Sequence, residues 1–279
     1  MSNEIERVAL RAARAAGKIH LKRLSRITIA RKSSAIDLVT EADREAEAAV
    51  IATIHRAFPD HAVLAEESGA TAHRSEHRWI VDPLDGTTNF AHGFPQFCVS
   101  IACERHGKVQ TAIVYDALKR ECFTATRGRG ARLNGKLIRV STQNRLSGAL
   151  LSTGFPYDAR ERRHYYLRFW EEFMATVQGI RRTGAAALDI AYVAAGRVDA
   201  MWEFGLKPWD VAAAALILEE SHGRISNMDG SPLDLAGGNV IGSNARLHSQ
   251  MMKVVARARA AADRIEAKGN SGRTRIKSR

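Results

Sequence analysis

The sequence has few cysteines and no long apolar segment. Its three cysteines (Cys98, Cys103 and Cys122) are odd in number and none lies in a C-x-x-C pair. This argues against a disulfide framework or a zinc knuckle and favours a reducing compartment. No run approaches the roughly 20 apolar residues of a membrane-spanning helix, and the opening residues MSNEIERVAL lack the apolar core of a secretory signal. These absences favour a cytoplasmic protein without membrane association.

Charge is abundant and mostly positive, with a formal net charge of +12 over 279 residues. Five of the cations lie in the last dozen residues, KGNSGRTRIKSR, which contain no acidic residue. We expect residues 268–279 to form a disordered tail, because so few apolar groups cannot offset the entropy lost on ordering. Contact of the tail with RNA or another polyanion is the alternative. Residues 1–267 are then expected to form one domain with halves 1–145 and 146–267.

The spacing of apolar residues predicts a layered α/β fold with mixed sheets. Helices are predicted at 3–17, 41–58, 160–177, 185–195, 209–221 and 245–267. Strands are predicted at 62–65, 79–81, 98–103, 109–115, 149–152 and 200–204, with 123–126 and 137–140 as the arms of a hairpin around a Gly-rich turn.

The segment Trp79-Ile80-Val81-Asp82-Pro83-Leu84-Asp85-Gly86-Thr87-Thr88-Asn89-Phe90 carries the strongest chemical signal. An apolar strand ends at Asp82, and Pro83 turns the chain so that Asp85 can converge on the same edge of the sheet. Carboxylate oxygens suit Mg²⁺, and the N–H groups of a helix beginning near Gly86 can bind phosphate. A plain strand followed by an Asx-type turn would give the same short pattern.

Three other segments carry acids that could join this pair. Glu66 and Glu67 follow a predicted strand, Asp210 lies at the start of a predicted helix, and Asp43 lies in the first turn of another. Taken singly, each is most simply a solvated turn acid or a helix-capping acid. Their joint presence in one chain favours a shared site.

These segments together resemble the inositol monophosphatase family, particularly its bacterial members. The resemblance rests on D-x-V-T-x-x-D at 37–43, E-E-S at 66–68, W-I-V-D-P-L-D-G-T-T-N-F at 79–90, R-R-T-G-A-A-A-L-D at 181–189 and G-L-K-P-W-D-V-A-A at 205–213. It spans the chain from the first helix to about residue 267. The resemblance implies an α-β-α-β-α sandwich, as in the sugar phosphatases of this fold, and a lithium-sensitive, Mg²⁺-dependent phosphatase that forms a homodimer.

The resemblance also implies roles for particular residues. The implied metal ligands are Glu66, Asp82, Asp85 and Asp210, with the Leu84 carbonyl. Thr87 and Asp43 are implied to activate the attacking water, with Glu67 as a supporting catalytic residue. The implied substrate contacts are Asp85, Gly86, Thr87, Ala186, Glu203 and Asp210. Lys207 stands where animal relatives often have His, so no contact is carried over there.

The function expected from the resemblance is hydrolysis of a small phosphate monoester, foremost inositol monophosphate, by a metal-activated water. Histidinol phosphate, a fructose bisphosphate or a 3′-phosphonucleotide remain open as substrates, since relatives share the metal motif and differ around it. A second hypothesis, from another class, is a factor associated with RNA or RNA polymerase, which the basic composition would suit.

Overall fold

The computed structural model describes residues 2–24, 29–31, 38–71, 73 and 75–276. Its helices are α1 (Ser2–Arg23), α2 (Glu41–Ala57), α3 (Thr87–Ala91), α4 (Arg163–Met174), α5 (Ala186–Ala194), α6 (Pro208–Glu220) and α7 (His248–Ile276). A short 3₁₀ helix covers Leu146–Gly148. Within the described residues, no helix is long and apolar enough to cross a membrane.

Fifteen strands in the described chain form three sheets. In the first half they are β1 (Ile29–Arg31), β2 (Leu38–Thr40), β3 (Ala62–Ala65), β4 (Gly69–Ala70), β5 (His77–Asp85), β6 (Cys98–Arg105), β7 (Lys108–Asp116), β8 (Glu121–Thr126), β9 (Ala131–Leu133) and β10 (Lys136–Leu137). In the second half they are β11 (Leu150–Thr153), β12 (Gly179–Arg182), β13 (Ala200–Glu203), β14 (Arg224–Asn227) and β15 (Val240–Ser243).

Two of these sheets alternate with helix pairs to give five layers, α-β-α-β-α, as the family resemblance implied. The eight-stranded sheet has the order β10-β9-β8-β7-β6-β5-β3-β4, and the five-stranded sheet has the order β12-β11-β13-β15-β14. Helices α1 and α2 cover one face of the large sheet, and α5 and α6 lie between the sheets. Helices α4 and α7 cover the far face of the small sheet.

Alternation along the central strand β5 explains why the large sheet is covered on both faces. Trp79 and Val81 pack in the cluster formed with α1 and α2, whereas Ile80 packs in the cluster formed with α5 and α6. Successive side chains of a strand point to opposite faces, so a strand buried on both sides is a continuous apolar run. The end of β5, which carries Asp82 and Asp85, therefore belongs to a strand that is buried on both faces.

The first helix was predicted to end at Gly17, and this boundary is wrong. Helix α1 continues to Arg23. A Cβ at position 17 would lie 2.6 Å from Tyr115 Cε1 on strand β7. Gly17 therefore marks a close approach of the helix to the sheet rather than a helix terminus.

The predicted hairpin and the last helix also differ from the structure. Strand β8 pairs with β9, inside the supposed Gly-rich turn, and β9 then pairs with β10. Helix α7 continues past the predicted end at Ala267 to Ile276. Residues 268–276 thus extend the helix instead of forming a disordered tail from residue 268, and 277–279 lie outside the described residues.

Candidate active site

The turn after the apolar part of β5 places two carboxylates on one side of the sheet. The pairing of β5 with β6 shifts register between Asp82 and Asp85, which bends the strand and lets both side chains face the same cavity. The Leu84 N–H donates to Asp82 Oδ1 at 2.9 Å. Gly86 then adopts φ +90°, where a Cβ would lie 2.8 Å from the Gln96 carbonyl, so the turn requires glycine.

Asp85 is held by the other half of the chain. The backbone N–H groups of Ala186 and Ala187, at the start of α5, donate to its two oxygens at 3.1 and 2.8 Å. The Cys98 thiol lies 3.6 Å from Asp85 Oδ2. A carboxylate at a helix N-terminus satisfies N–H groups that have no partner within the helix. Asp85 thereby joins the two halves and keeps a fixed orientation.

Asp210 approaches the same cavity from the first turn of α6. The Lys207 N–H donates to Asp210 Oδ2 at 2.7 Å, so the Asp210 carboxylate satisfies a backbone donor at the start of this helix. Asp210 is therefore the capping acid that its position predicts, and it also lines the cavity. The helix-capping interpretation is therefore confirmed, and the role of Asp210 as a metal ligand stays a prediction.

Thr87 and Asp43 meet across the boundary between α3 and α2. Thr87 Oγ1 donates toward Asp43 Oδ1 at 3.0 Å and toward the Leu84 carbonyl at 3.1 Å. The other oxygen of Asp43 accepts hydrogen bonds from the backbone and hydroxyl of Thr40 at 2.7 and 2.6 Å. Because Asp43 is also the third residue of the α2 capping box, the helix start fixes its position.

One cavity of about 160 Å³ brings most of the sequence-derived site residues together. Its lining includes Glu66, Asp82, Leu84, Asp85, Gly86, Thr87, Ala186, Glu203 and Asp210. Asp43 is buried and reaches the cavity through Thr87. Glu67 is not part of this lining; its backbone N–H donates to Glu47 Oε2 at 2.8 Å, beside the helix that carries Asp43.

The electrostatics of the cavity are dominated by crowded carboxylates. Burial, and then the charges of Glu66, Asp85 and Asp210, raise the pKa of Asp82 well above its usual range. Burial raises the pKa of Asp85 to about 6, against the lowering effect of the α5 N–H groups. Burial and the charge of Asp85 raise the pKa of Asp210 to about 7. Ionising all of these acids together is therefore unfavourable without a cation, and a bound cation would stabilise the ionised form.

The donor set fits a hard divalent cation. Carboxylate and carbonyl oxygens from Glu66, Asp82, Leu84, Asp85 and Asp210 surround one cavity, and these are the ligand types of Mg²⁺. Across the described ranges, no three His, Cys, Asp or Glu side chains converge closely enough to form a finished cation cage. The acids line a cleft, which leaves room for water and a phosphate group among them.

The crowding predicts how stability depends on pH without a divalent ion. Because folding raises the pKa values of Asp85 and Asp210 from about 3.8 to about 6 and 7, the folded state binds more protons than the unfolded state. Stability of the metal-free protein should then fall as pH rises from about 4 to about 7. We expect Mg²⁺ to raise Tm by about 4 °C more at pH 8 than at pH 5.5, since 1 kcal/mol shifts Tm by about 2–4 °C.

Thermal melts with Mg²⁺ and with EDTA at both pH values measure this difference. The buried histidines contribute equally to the melts with Mg²⁺ and with EDTA. The difference between the two melts therefore reports on the carboxylates. An equal Mg²⁺ effect at both pH values would contradict the assignment of these acids to a cation site.

Three structural features close to the cavity were not predicted from the sequence. His20 Nε2 lies 2.8 Å from the Pro83 carbonyl, and burial lowers the pKa of His20 to about 4, so a neutral ring supports the turn from α1. Asn89 Nδ2 donates to the Gln96 and Thr183 carbonyls at 2.7 and 2.8 Å and ties α3 to the second half. Nothing in the sequence around His20 signals this contact.

Asp189 is a further buried acid behind the cavity. Thr183 Oγ1 donates to one of its oxygens, and burial raises the pKa of Asp189 to about 8. Its other oxygen has no hydrogen-bond partner among the described residues. Asp189 is the last residue of the R-R-T-G-A-A-A-L-D segment, so the sequence pattern marked the segment but not the role.

The sequence profile of the Inositol monophosphatase family matches residues 1–263. The chain belongs to the inositol monophosphatase family. The "Nus factor SuhB" of Pseudomonas aeruginosa is 44% identical over 89% of this chain and 94% of that protein.

Solved structures of the family agree with this fold. Inositol monophosphatase from Anabaena has a TM-score of 0.83 and 40% identity, covering 91% of this chain and 96% of that chain. An IMPase/NADP phosphatase complexed with Mg²⁺ and phosphate has a TM-score of 0.80 and 27% identity, covering 91% and 95% of the two chains. Family and fold together support a phosphatase that depends on a divalent metal.

Proposed function

We propose that this inositol monophosphatase family member hydrolyses a small polyol phosphate monoester, foremost inositol monophosphate, with Mg²⁺. The observation that carries the proposal is that Glu66, Asp82, Asp85 and Asp210 line one shared cavity. At its edge, the Thr87 hydroxyl is hydrogen-bonded to Asp43. The Mg²⁺ and phosphate complex of a relative supports the choice of ion.

Glu66, Asp82, Asp85, Asp210 and the Leu84 carbonyl are the residues that would hold the metal. Bound Mg²⁺ supplies a Lewis acid that screens the phosphate dianion and makes water a better nucleophile. The carboxylates supply the negative charge that draws the cation into the cavity. The α5 N–H groups hold Asp85 in one orientation, so this side chain need not reorder when the ion binds.

Thr87 and Asp43 can move the proton of the attacking water. The Thr87 hydroxyl hydrogen points toward Asp43 Oδ1 or the Leu84 carbonyl, so the lone pairs of Thr87 Oγ1 can accept a hydrogen bond from water. As the water attacks phosphorus, its proton passes to Thr87 Oγ1 and the Thr87 proton passes to Asp43 Oδ1. Thr40 holds the other Asp43 oxygen and fixes the receiving carboxylate.

The far wall of the cavity suits the alcohol part of the ester. Glu203 lines this wall together with Ala186 and the aromatic residues Phe155, Tyr157 and Phe204. Burial, and then the charges of Asp189 and Asp85, raise the pKa of Glu203 well above its usual range. A protonated Glu203 can both donate and accept hydrogen bonds, which matches the hydroxyl groups of a polyol.

A turnover assay against a panel of phosphate esters tests this proposal. The panel contains inositol 1-phosphate, histidinol phosphate, fructose 1,6-bisphosphate and a 3′-phosphonucleotide. We expect Mg²⁺-dependent release of phosphate, loss of activity in EDTA, recovery with Mg²⁺ and inhibition by Li⁺ and by excess Ca²⁺. Full turnover in EDTA after exhaustive dialysis would contradict the proposal. The ester with the highest kcat/KM on the panel identifies the preferred substrate.

The position of Glu203 depends on a neighbouring glycine. A Cβ at position 154 would lie 1.7 Å from Glu203 Oε1, so Gly154→Ala should displace this carboxyl group. Overpacking typically costs about 1–3 kcal/mol, and we expect KM for inositol monophosphate to rise about tenfold. The effect should be smaller for p-nitrophenyl phosphate, which has no polyol hydroxyls.

Gly179→Ala is the matched control, because a Cβ there meets only ordinary contacts at 3.4 Å. Steady-state kinetics of both variants on both esters measure the difference. An equal rise of KM for the two esters in Gly154→Ala would remove Glu203 from substrate recognition.

The name of the Pseudomonas aeruginosa relative supports a second candidate function. That protein is a Nus factor, so we also propose that this chain takes part in a transcription complex with RNA polymerase or RNA. Affinity capture from cell extract, with and without ribonuclease, tests this proposal. Recovery of neither RNA polymerase nor RNA would contradict it.

We also propose that the chain forms a homodimer in solution, as the family resemblance implies. Light scattering on the purified chain, with and without Mg²⁺, measures the oligomeric state. A mass equal to one chain under both conditions would contradict the dimer.

A further inference from the structure

The outer face of α1 carries a row of cations. Its exposed members are Arg7, Arg11, Arg14, Lys18 and Lys22. They recur every three or four residues, so they lie on one face of the helix, about one per 5.4 Å turn. No acidic residue occurs between positions 7 and 24. We call these five residues the α1 basic row.

The opposite face of α1 is fixed in the core. Val8, Ala12 and Ala16 are buried against the large sheet and α2. The helix cannot turn its apolar face toward a lipid surface without unpacking this layer. The basic row is therefore a rigid line of charge about 22 Å long, suited to a polyanion and not to membrane insertion.

Helix α2 widens the charged surface. Arg44 and Arg56 on its outer face are exposed beside α1. A groove of about 350 Å³ lies between the two helices, lined by Arg11, Thr53, Arg56 and Ala57. The guanidinium groups of Arg11 and Arg56 can contact the same phosphate, because both donate hydrogen bonds to its oxygens. The Thr53 hydroxyl donates to the Ala49 carbonyl at 2.7 Å.

Most cations of the α1 basic row lie outside the ion pairs that the described part of this helix forms. Arg23, at the end of α1, forms ion pairs with Glu41 and Glu45. By contrast, Arg11, Arg14, Lys18 and Lys22 form no ion pair with any residue that the structure describes. Like charges at such spacing destabilise a helix by about 0.2–0.5 kcal/mol per pair. Four neighbouring cations that repel one another, without an ion pair among the described residues, indicate a partner.

We propose that the α1 basic row and the groove beside it bind the phosphodiester backbone of single-stranded RNA. A flexible single strand can follow a straight line of cations, whereas a stiff duplex meets a straight helix face over only a few phosphates. The exposed face has no aromatic side chain on which bases could stack, so binding is independent of sequence and strongly dependent on salt.

Fluorescence anisotropy with a labelled, unstructured RNA 20-mer tests the proposal on the full chain. The variant Arg11→Gln/Arg14→Gln/Lys18→Gln removes three cations of the row. Its matched control, Arg145→Gln/Arg163→Gln/Arg246→Gln, removes the same charge from exposed positions outside α1 and α2. Each phosphate contact contributes about −0.7 to the slope of log K against log salt for a single strand.

We expect the row variant to bind RNA about tenfold or more weakly than wild type at low salt, with a slope shallower by about 2. The control should stay within about twofold of wild type. Equal losses of RNA affinity in the two variants would show that binding depends only on net charge, and would overturn the proposal. So would tighter binding of duplex DNA than of RNA, or complete loss of binding when only residues 268–279 are deleted.

Thermal melts distinguish a loss of RNA binding from a loss of folding. Because the substitutions relieve repulsion, Tm of the row variant should be equal to or above that of wild type. RNA binding by the row does not depend on the catalytic cavity, so an inactive phosphatase would leave this test unchanged.

Discussion

Replacing Asp82 by Asn should reduce turnover about a hundredfold or more while leaving the metal-free protein at least as stable as wild type. Asn keeps the shape of the side chain and its hydrogen bond from the Leu84 N–H, but it removes a negative charge from the proposed metal ligands. That charge is buried and repelled by Glu66, Asp85 and Asp210. Its loss therefore weakens Mg²⁺ binding and relieves repulsion in the absence of metal.

The opposite directions of the two effects make this test specific. A variant that merely misfolds would lose both activity and stability. Kinetics over a range of Mg²⁺ concentrations and thermal melts in EDTA measure the two quantities, with Asp60→Asn as an exposed control. Near-native turnover of the Asp82 variant at ordinary Mg²⁺ concentrations would show that the site is elsewhere.

The convergence of the acids was predictable because each lies where an element begins or ends. Asp82 and Asp85 follow the apolar part of β5, Asp210 is in the first turn of α6 and Asp43 in that of α2. Strand ends and helix starts can be identified from local patterns. The α-β-α-β-α layering came from the family resemblance and is confirmed.

The contacts between the two halves could not be predicted in this way. The N–H groups of Ala186 and Ala187 donate to Asp85, about a hundred positions away in the sequence. No local pattern encodes a contact at such a sequence separation. The same holds for His20 beneath Pro83. These contacts depend on how layers pack, which periodicity within one element does not determine.

Glycine has an ambiguous local signal at positions where it serves packing. Gly17 is typical of a helix end by composition, but here it allows α1 to lie against Tyr115. The segment RGRGARLNG has the composition of one turn, but it contains the strand β9 between two turns. A glycine needed for close approach and a glycine needed for a turn have the same local signal.

The Thr87 and Asp43 pair should behave as one unit in a double-mutant cycle. Thr87→Ala removes the hydroxyl that would accept the water proton, and Asp43→Asn removes the carboxylate that would receive the proton of Thr87. Each change should lower kcat about a hundredfold, within the usual range for general-base catalysis. KM should change little, because the carboxylates and the far wall of the cavity are kept.

The double variant should be scarcely slower than the slower single variant, since both changes break the same proton transfer. Thr87→Ser is the matched control: it keeps the hydroxyl and should retain most of kcat. Asp43→Asn also disturbs the cap of α2 at Thr40, at a cost of about 1 kcal/mol, which a thermal melt measures separately from kcat. Losses that multiply in the double variant would show that Thr87 and Asp43 act in different steps, and the proton of the attacking water would then need another acceptor in the cavity.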